Sequence, residues 1–329
     1  MPDCCKVSCR NRFPRRSAIL LTLVACVVGP ALAQADEKSG TVRIIVAGDV
    51  MLDGGPGHTI SKGLDPFSDV AALLADADLA VCNLECAVTN CSARIEKTYN
   101  FQAKPPVIPV LKKHFSAVCL ANNHAIDYTH KGFLEELSLL EKAGLPYFGG
   151  GHDVKEARRP LILERNGLRV ALLGYNNYPP EEYEAKADAP GIAWLKEPDL
   201  LADIKAAREV QHADVVLPLL HWGNEMEPAP DASQKALARK LLDGGADAVI
   251  GGHPHVTQTV DLYKGRPIVY SLGNFVFDYY PEDPPEWTGW IVRLTFSKTA
   301  PVELETFAVQ LDAAGIPHLV PSTPGKAEK

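Results

Sequence analysis

Seven apolar runs punctuate the chain: VRIIVAGD at 42–49, DLAVCNLE at 78–85, SAVCLANN at 116–123, LRVALLGY at 168–175, DVVLPLLHW at 214–222, DAVIGGH at 247–253 and PIVYSLGNFVF at 267–277. Each is short and apolar at successive rather than alternate positions, which predicts strands buried on both faces. Between them, KGFLEELSLLEKAG (131–144), EPDLLADIKAAREVQH (197–212) and ASQKALARKLLDGG (232–245) carry apolar residues at helical spacing. Strands alternating with helices predict an α/β fold with a mainly parallel sheet. Beyond about residue 287 the pattern turns to a strand pair, WIVRLTFS and VELETFAVQL, and then to a polar tail over 313–329. No repeat or low-complexity linker interrupts residues 40–312, which read as one domain. The stretch YPPEEYEAKADAPG (178–191) reads as an excursion over the surface, a candidate lid.

Residues 1–33 read as an address, not as fold. Arg10, Arg12, Arg15 and Arg16 precede the apolar stretch SAILLTLVACVVGPALA, which ends in Ala31-Leu32-Ala33. That is the pattern of a secretory signal peptide cleaved after Ala33, with the mature chain periplasmic or extracellular. Two variants stay open: Arg15-Arg16 as a twin-arginine signal, and Leu23-Val24-Ala25-Cys26 as a lipobox that leaves a lipid anchor on Cys26. Leader residues 1–33 carry a net +4, so the formal −8 of the whole chain becomes −12 for the remainder. Such an acidic balance argues against nucleic acid or anionic lipid as partner. Of the cysteines, Cys82, Cys86, Cys91 and Cys119 lie beyond the leader, an even number that an oxidising compartment could pair. Cys86 and Cys91 close a short loop and are the preferred bridge, whereas Cys82 and Cys119 read as small buried residues within strands.

The chemistry sits where the apolar runs end. Asp49, Glu85, Asn123 with His124, His221, and His253 with His255 each stand at or just past the carboxyl end of a predicted strand. In an open parallel sheet those ends share one edge, where ligands bind. GGHPHV (251–256) adds a reason for its spacing: in extended backbone residues i and i+2 point the same way, the glycines allow close approach and the proline fixes the turn. Each motif alone is also what a turn or a helix cap uses; their joint placement is what points to a divalent metal such as manganese, zinc or iron. Tyr128, Tyr175 and Trp222 are candidate pocket walls, with core packing the alternative for Trp222. His58, His114, His130, His152, His212 and His318 lack this context and are left as surface or core residues.

GDVML (48–52), NLE (83–85), NNHAIDY (122–128), HWGNE (221–225), GGHPHV (251–256) and SLGNFVFD (271–278), in this order over about residues 42–280, resemble the CapA family of poly-γ-glutamate capsule synthesis proteins. That family is similar to the calcineurin-like metallophosphoesterases. The resemblance implies two packed β-sheets flanked by helices, a four-layer sandwich, holding one or two divalent ions. It implies Asp49 and His255 as ligands of one ion, Asn123, His221 and His253 as ligands of the other, and Glu85 as the bridge between them. His124 would assist the leaving group with Asp127 orienting it, and Asn274 and Asp278 would orient substrate or ligands. Met51 departs from the metallophosphoesterase pattern, standing where a histidine is expected, and Glu85 stands for an aspartate. Two functions follow from the resemblance: an exported metal-dependent hydrolase acting on a phosphoester or on an amide bond of an envelope polymer, or a non-catalytic, metal-assisted polymer-binding component of a capsule synthesis and export assembly. The partners implied are poly-γ-glutamate or another envelope polymer, with membrane capsule synthesis proteins beside it.

Overall fold

The computed structural model describes residues 40–278 and 287–321. The expected signal peptide, Cys26 and residues 322–329 lie outside the described residues. The first half of the chain runs β1 (Thr41–Val50), α1 (Gly54–Ser61), α2 (Ala71–Ala75), β2 (Leu79–Leu84), β3 (Ala87–Val88), β4 (Gln102–Ala103), α3 (Val107–His114), β5 (Ala117–Cys119), α4 (Thr129–Ala143), β6 (Tyr147–Phe148), β7 (Gly150–Gly151) and α5 (Val154–Ala157). The second half runs β8 (Leu161–Arg165), β9 (Leu168–Asn176), β10 (Gly191–Ile192), α6 (Glu197–Glu209), β11 (Val215–His221), α7 (Ala232–Asp243), β12 (Val249–Gly252), β13 (Val260–Tyr263), β14 (Arg266–Val269), β15 (Asn274–Val276), β16 (Thr288–Ser297), β17 (Glu303–Leu311) and β18 (Pro317–Leu319).

Two sheets result. One has the order β18-β17-β16-β1-β2-β5-β6, and the other β13-β14-β12-β11-β9-β8. Within them β1, β2, β5 and β6 are mutually parallel, as are β9, β11, β12 and β14. Period-two alternation assigns the faces. Val42, Ile44 and Val46 of β1 meet Val170 and Leu172 of β9 and Leu217 and Leu219 of β11 in one inter-sheet core. The alternate residues face outward: Ile45 and Ala47 pack with Leu137 and Leu140 of α4, while Val216 and Leu220 pack with Leu200 and Ile204 of α6. Both faces of each central strand are therefore apolar, the layers run helix, sheet, sheet, helix, and the expected four-layer sandwich is present. Among the described residues, no helix is long and apolar enough to cross a membrane.

Local signals set the helix ends. Gly144 closes α4 in the left-handed conformation at φ 62°, and Asp231 opens α7 with a capping box to Gln234.

Several expectations need correction. The run at 267–277 is not one strand: β14 belongs to the second sheet and β15 pairs with β1 of the first. Gly273, at φ 67°, turns the chain between them. The run at 116–123 is strand only to Cys119, after which the chain turns. Residues 317–319, expected in the tail, form β18 on the edge strand β17, because Val309 and Leu311 leave that edge with backbone to pair. The expected Cys86–Cys91 bridge is not formed, and Cys82, Cys86, Cys91 and Cys119 are all free thiols. Cys86 points into the core, where its Sγ accepts from Leu52 N at 3.4 Å, while Cys91 Sγ faces Ala93 O. Cys82 and Cys119 are buried, as expected.

Candidate metal centre

The parallel strands of both sheets bring their carboxyl ends to one rim. Asp49 is aimed there by an irregularity: the register with both β2 and β15 shifts beside it, as happens where a bulge redirects a side chain. Glu85 follows β2, His221 ends β11, and His253 and His255 follow β12. The ligand atoms of Asp49, Glu85 and His255 lie within 4.8 Å of one another, and so do those of Glu85, His221 and His253. Glu85 is common to both groups, which is where a bridging carboxylate would stand. Asn123 joins the second group, with Oδ1 2.8 Å from His221 Nε2.

The HPH spacing works differently from the sequence argument. His253 has φ 95° and His255 φ 59°, so the segment is a tight bend and not an extended strand. Left-handed backbone at two histidines costs on the order of 1 kcal/mol or more each, strain of the kind that collects at functional sites. The glycines also serve a different purpose. A Cβ on Gly252 would stand 2.8 Å from Asp49 Oδ1, and one on Gly251 would collide with Tyr270 O and the Trp222 indole. They make room for a ligand's carboxylate and for the core behind it.

Glu85 Oε1 and His253 Nε2 are buried and have no hydrogen-bond partner among the described residues. Orphaned buried polar atoms cost about 1–3 kcal/mol each, and a cation in the group they share would satisfy both. Burial pushes the His221 and His253 imidazolium forms well below their ordinary range, leaving the neutral rings that ligate metals. Burial also raises Asp49, and burial together with the neighbouring Asp49 charge raises Glu85 well above the usual carboxylate range. Two carboxyls held in this way ionise readily only beside a cation. The residues fit a divalent ion.

Beside the cluster, His124 Nδ1 is 2.7 Å from Asp127 Oδ2, the expected dyad. Asp127 is fully buried and also takes Phe101 N–H at 2.8 Å and the Lys97 ammonium at 2.7 Å. Lys97 donates to Asn123 O at 2.6 Å as well. Burial lowers His124 to about 4 against the pull of Asp127, and its ring stacks on Phe101 with centroids 4.2 Å apart.

A model of the family described as "Bacterial capsule synthesis protein PGA_cap" matches residues 43–279. The chain belongs to that family. Among curated relatives of this PGA_cap member, the Bacillus anthracis "Capsule biosynthesis protein CapA" is 32% identical over 290 residues, covering 82% of this chain and 70% of its own. The Bacillus subtilis "PGA biosynthesis protein CapA" is 34% identical over 225 residues, covering 67% of this chain but only 59% of its own. Among solved structures, Haemophilus influenzae NAD nucleotidase is similar at 12% identity and a TM-score of 0.47, covering 86% of this chain and 54% of its own.

The remaining expected residues of this PGA_cap chain divide between the rim and the core. Asn274 Oδ1 is 2.9 Å from His255 Nδ1, so it orients a candidate ligand. Asp278 does not reach the cluster: its carboxylate accepts from Gly55 N and anchors the start of α1. Met51 is buried in the outer core, with Sδ taking Asp53 N–H at 3.1 Å. Tyr175 and Trp222 pack in the outer core of the second sheet, and Trp222 also lines a pocket with Tyr178 and Gly223; the Tyr175 hydroxyl donates to Asp203 and Trp222 Nε1 to Tyr270 O. Tyr128 sits at the N-cap of α4, partly exposed. The stretch 178–191 does reach the site: the Tyr178 and His253 ring centroids are 3.7 Å apart and Tyr183 Oη is 3.4 Å from Asp127 Oδ1.

Sequence reasoning missed Asn83, whose amide donates to Asp49 Oδ1 at 2.8 Å and to Glu85 Oε2 at 3.2 Å. Its place two residues before Glu85 on one strand was a usable signal. Lys97, in irregular chain 30 residues before Asp127, offered none. His114 and His318, set aside from the site, pair with Asp65 and Asp69. His152 forms a peripheral group with Glu141 and Glu156 whose members already bond to Tyr147 and to one another.

Proposed function

We propose that the chain is an exported component of poly-γ-glutamate capsule or envelope-polymer synthesis, and that its rim is a hydrolytic site dependent on one or two divalent ions. The observation that carries this reading is a pair of buried atoms with no hydrogen-bond partner among the described residues, Glu85 Oε1 and His253 Nε2, within a single group of candidate ligands. The bound ion would supply a Lewis acid that acidifies water and holds developing negative charge at a phosphoryl or acyl centre. Asp49, Glu85, Asn123, His221, His253 and His255 would hold it. Asp127 fixes the His124 proton on Nδ1, so Nε2 meets the substrate unprotonated and accepts a proton before it can deliver one to a leaving group. The relatives named for capsule and PGA biosynthesis support the polymer as partner.

A second reading, metal-assisted polymer binding without turnover, is favoured by Met51, whose sulfur is committed to Asp53 N–H. The two are separated by incubating manganese-loaded protein with poly-γ-glutamate and with a chromogenic phosphate monoester, with chelator controls. Chelator-sensitive cleavage of either supports the hydrolase. Retention of the polymer without cleavage supports the binding reading.

A further inference from the structure

We propose that Glu225, in the loop after β11, is a further ligand of the metal centre, closing it from the solvent side and supplying the donor that Met51 does not; this rests on the metal-dependent reading above. The ligand atoms of Glu225, His253 and His255 lie within 4.8 Å of one another. Both histidines are buried whereas Glu225 is exposed, so its carboxylate stands at the mouth of the cluster.

The loop is built to hold it there. His221 ends β11, and Gly223 at φ 89° turns the chain back over the rim. A Cβ at Gly223 would come within 2.7 Å of Gln234 Nε2, so glycine is required for both conformation and space. Met226 N then donates to Pro254 O at 2.9 Å, and Gln258 Nε2 donates to Glu227 O at 2.8 Å. These two bonds clamp the loop onto the His253-Pro254-His255 bend on the far side of Glu225.

An independent observation points to a cation at this place. His253 is fully buried, its Nδ1 stands 3.2 Å from His221 Nε2, and its Nε2 has no hydrogen-bond partner among the described residues. Met51 cannot serve instead, because its Sδ is engaged by Asp53 N–H and its side chain packs in the outer core. A third carboxylate beside Asp49 and Glu85 brings more negative charge to the centre, and its hard oxygen favours manganese over softer ions. It also explains the glutamate of the HWGNE motif, which neither fold nor dyad requires.

The test is titration of chelator-stripped protein with Mn2+, followed calorimetrically and by the paramagnetic signal of free Mn2+, for wild type, Glu225→Gln and Glu225→Ala, with circular dichroism to confirm folding. Loss of one bound ion, or an affinity lower by about 10–100-fold, in both variants is the expected result. Wild-type stoichiometry and affinity in both variants would overturn the assignment of Glu225 while leaving the centre intact. Failure of wild type itself to take up Mn2+ would overturn the metal centre and Glu225 with it.

Discussion

Glu85 Oε1 stands 3.5 Å from His221 Nε2, a contact that joins the ends of β2 and β11, strands of two different sheets. The centre is therefore a property of how the sheets stack. Its first partner, Asn83, ties Asp49 to Glu85 within one sheet. A small change at the seam should be felt at the ligands before it is felt by the fold.

Gly252→Ala tests this. The added methyl would stand 2.8 Å from Asp49 Oδ1, and either the carboxylate or the bend must shift. We expect a stability loss of about 1–3 kcal/mol and a fall in Mn2+ affinity on the order of 10-fold or more, read by thermal unfolding and calorimetric titration. Unchanged affinity would contradict the packing of Asp49 against this glycine.

Lys97→Met would leave the buried Asp127 carboxylate without its ammonium partner. The expected loss is about 1–3 kcal/mol. Lys97→Met combined with Asp127→Asn should lose less than the two single changes added together, because the uncompensated charge has gone. Simple additivity in denaturant unfolding would show that the pair at 2.7 Å is not coupled.

Glu136 on α4 is fully buried, and neither carboxyl oxygen has a side-chain hydrogen-bond partner among the described residues. Burial raises it from 4.5 to about 8. With the folded value above the unfolded one, the folded state holds more protons between pH 4.5 and 8, and stability is lost as pH rises through that window. Glu136→Gln should therefore melt higher than wild type at pH 8, with the difference vanishing near pH 4.5. Parallel curves at all pH values would contradict the buried, neutral carboxyl.

Metal uptake should release protons. Burial raises Asp49 and Glu85 in the metal-free protein, and binding requires their ionised forms. Affinity should therefore fall as pH is lowered, and the binding heat measured in buffers of different ionisation enthalpy should show protons leaving. Buffer-independent heat near neutral pH would contradict this.

The layers were legible because β1, β9 and β11 are short, rich in valine, isoleucine and leucine, and apolar at successive positions, as strands buried on both faces are. The clustering of Asp49, Glu85, His221 and His253 was legible because they are polar residues ending apolar runs. Other parts were hidden or overlooked. PIVYSLGNFVF reads as one strand because nothing in its apolarity marks the change of sheet at Gly273; only the glycine does. The hairpin of β8 and β9 turns at Asn166-Gly167, both at positive φ, a dipeptide that signals a two-residue hairpin turn and was available in the sequence. Asp278 ends an apolar run like a ligand yet accepts from Gly55 N in the first turn of α1, whose N-cap is Asp53. Lys97 could not have been found, since its role depends on a long irregular segment folding back onto Asp127.

Metal content of the protein purified from residue 34 onward, measured by elemental analysis alongside His253→Ala, tests the account most directly. One to two transition-metal ions per chain are expected, lost in the variant while its circular dichroism is unchanged. Absence of bound metal in the wild type, persisting after incubation with manganese, zinc or iron, would contradict it.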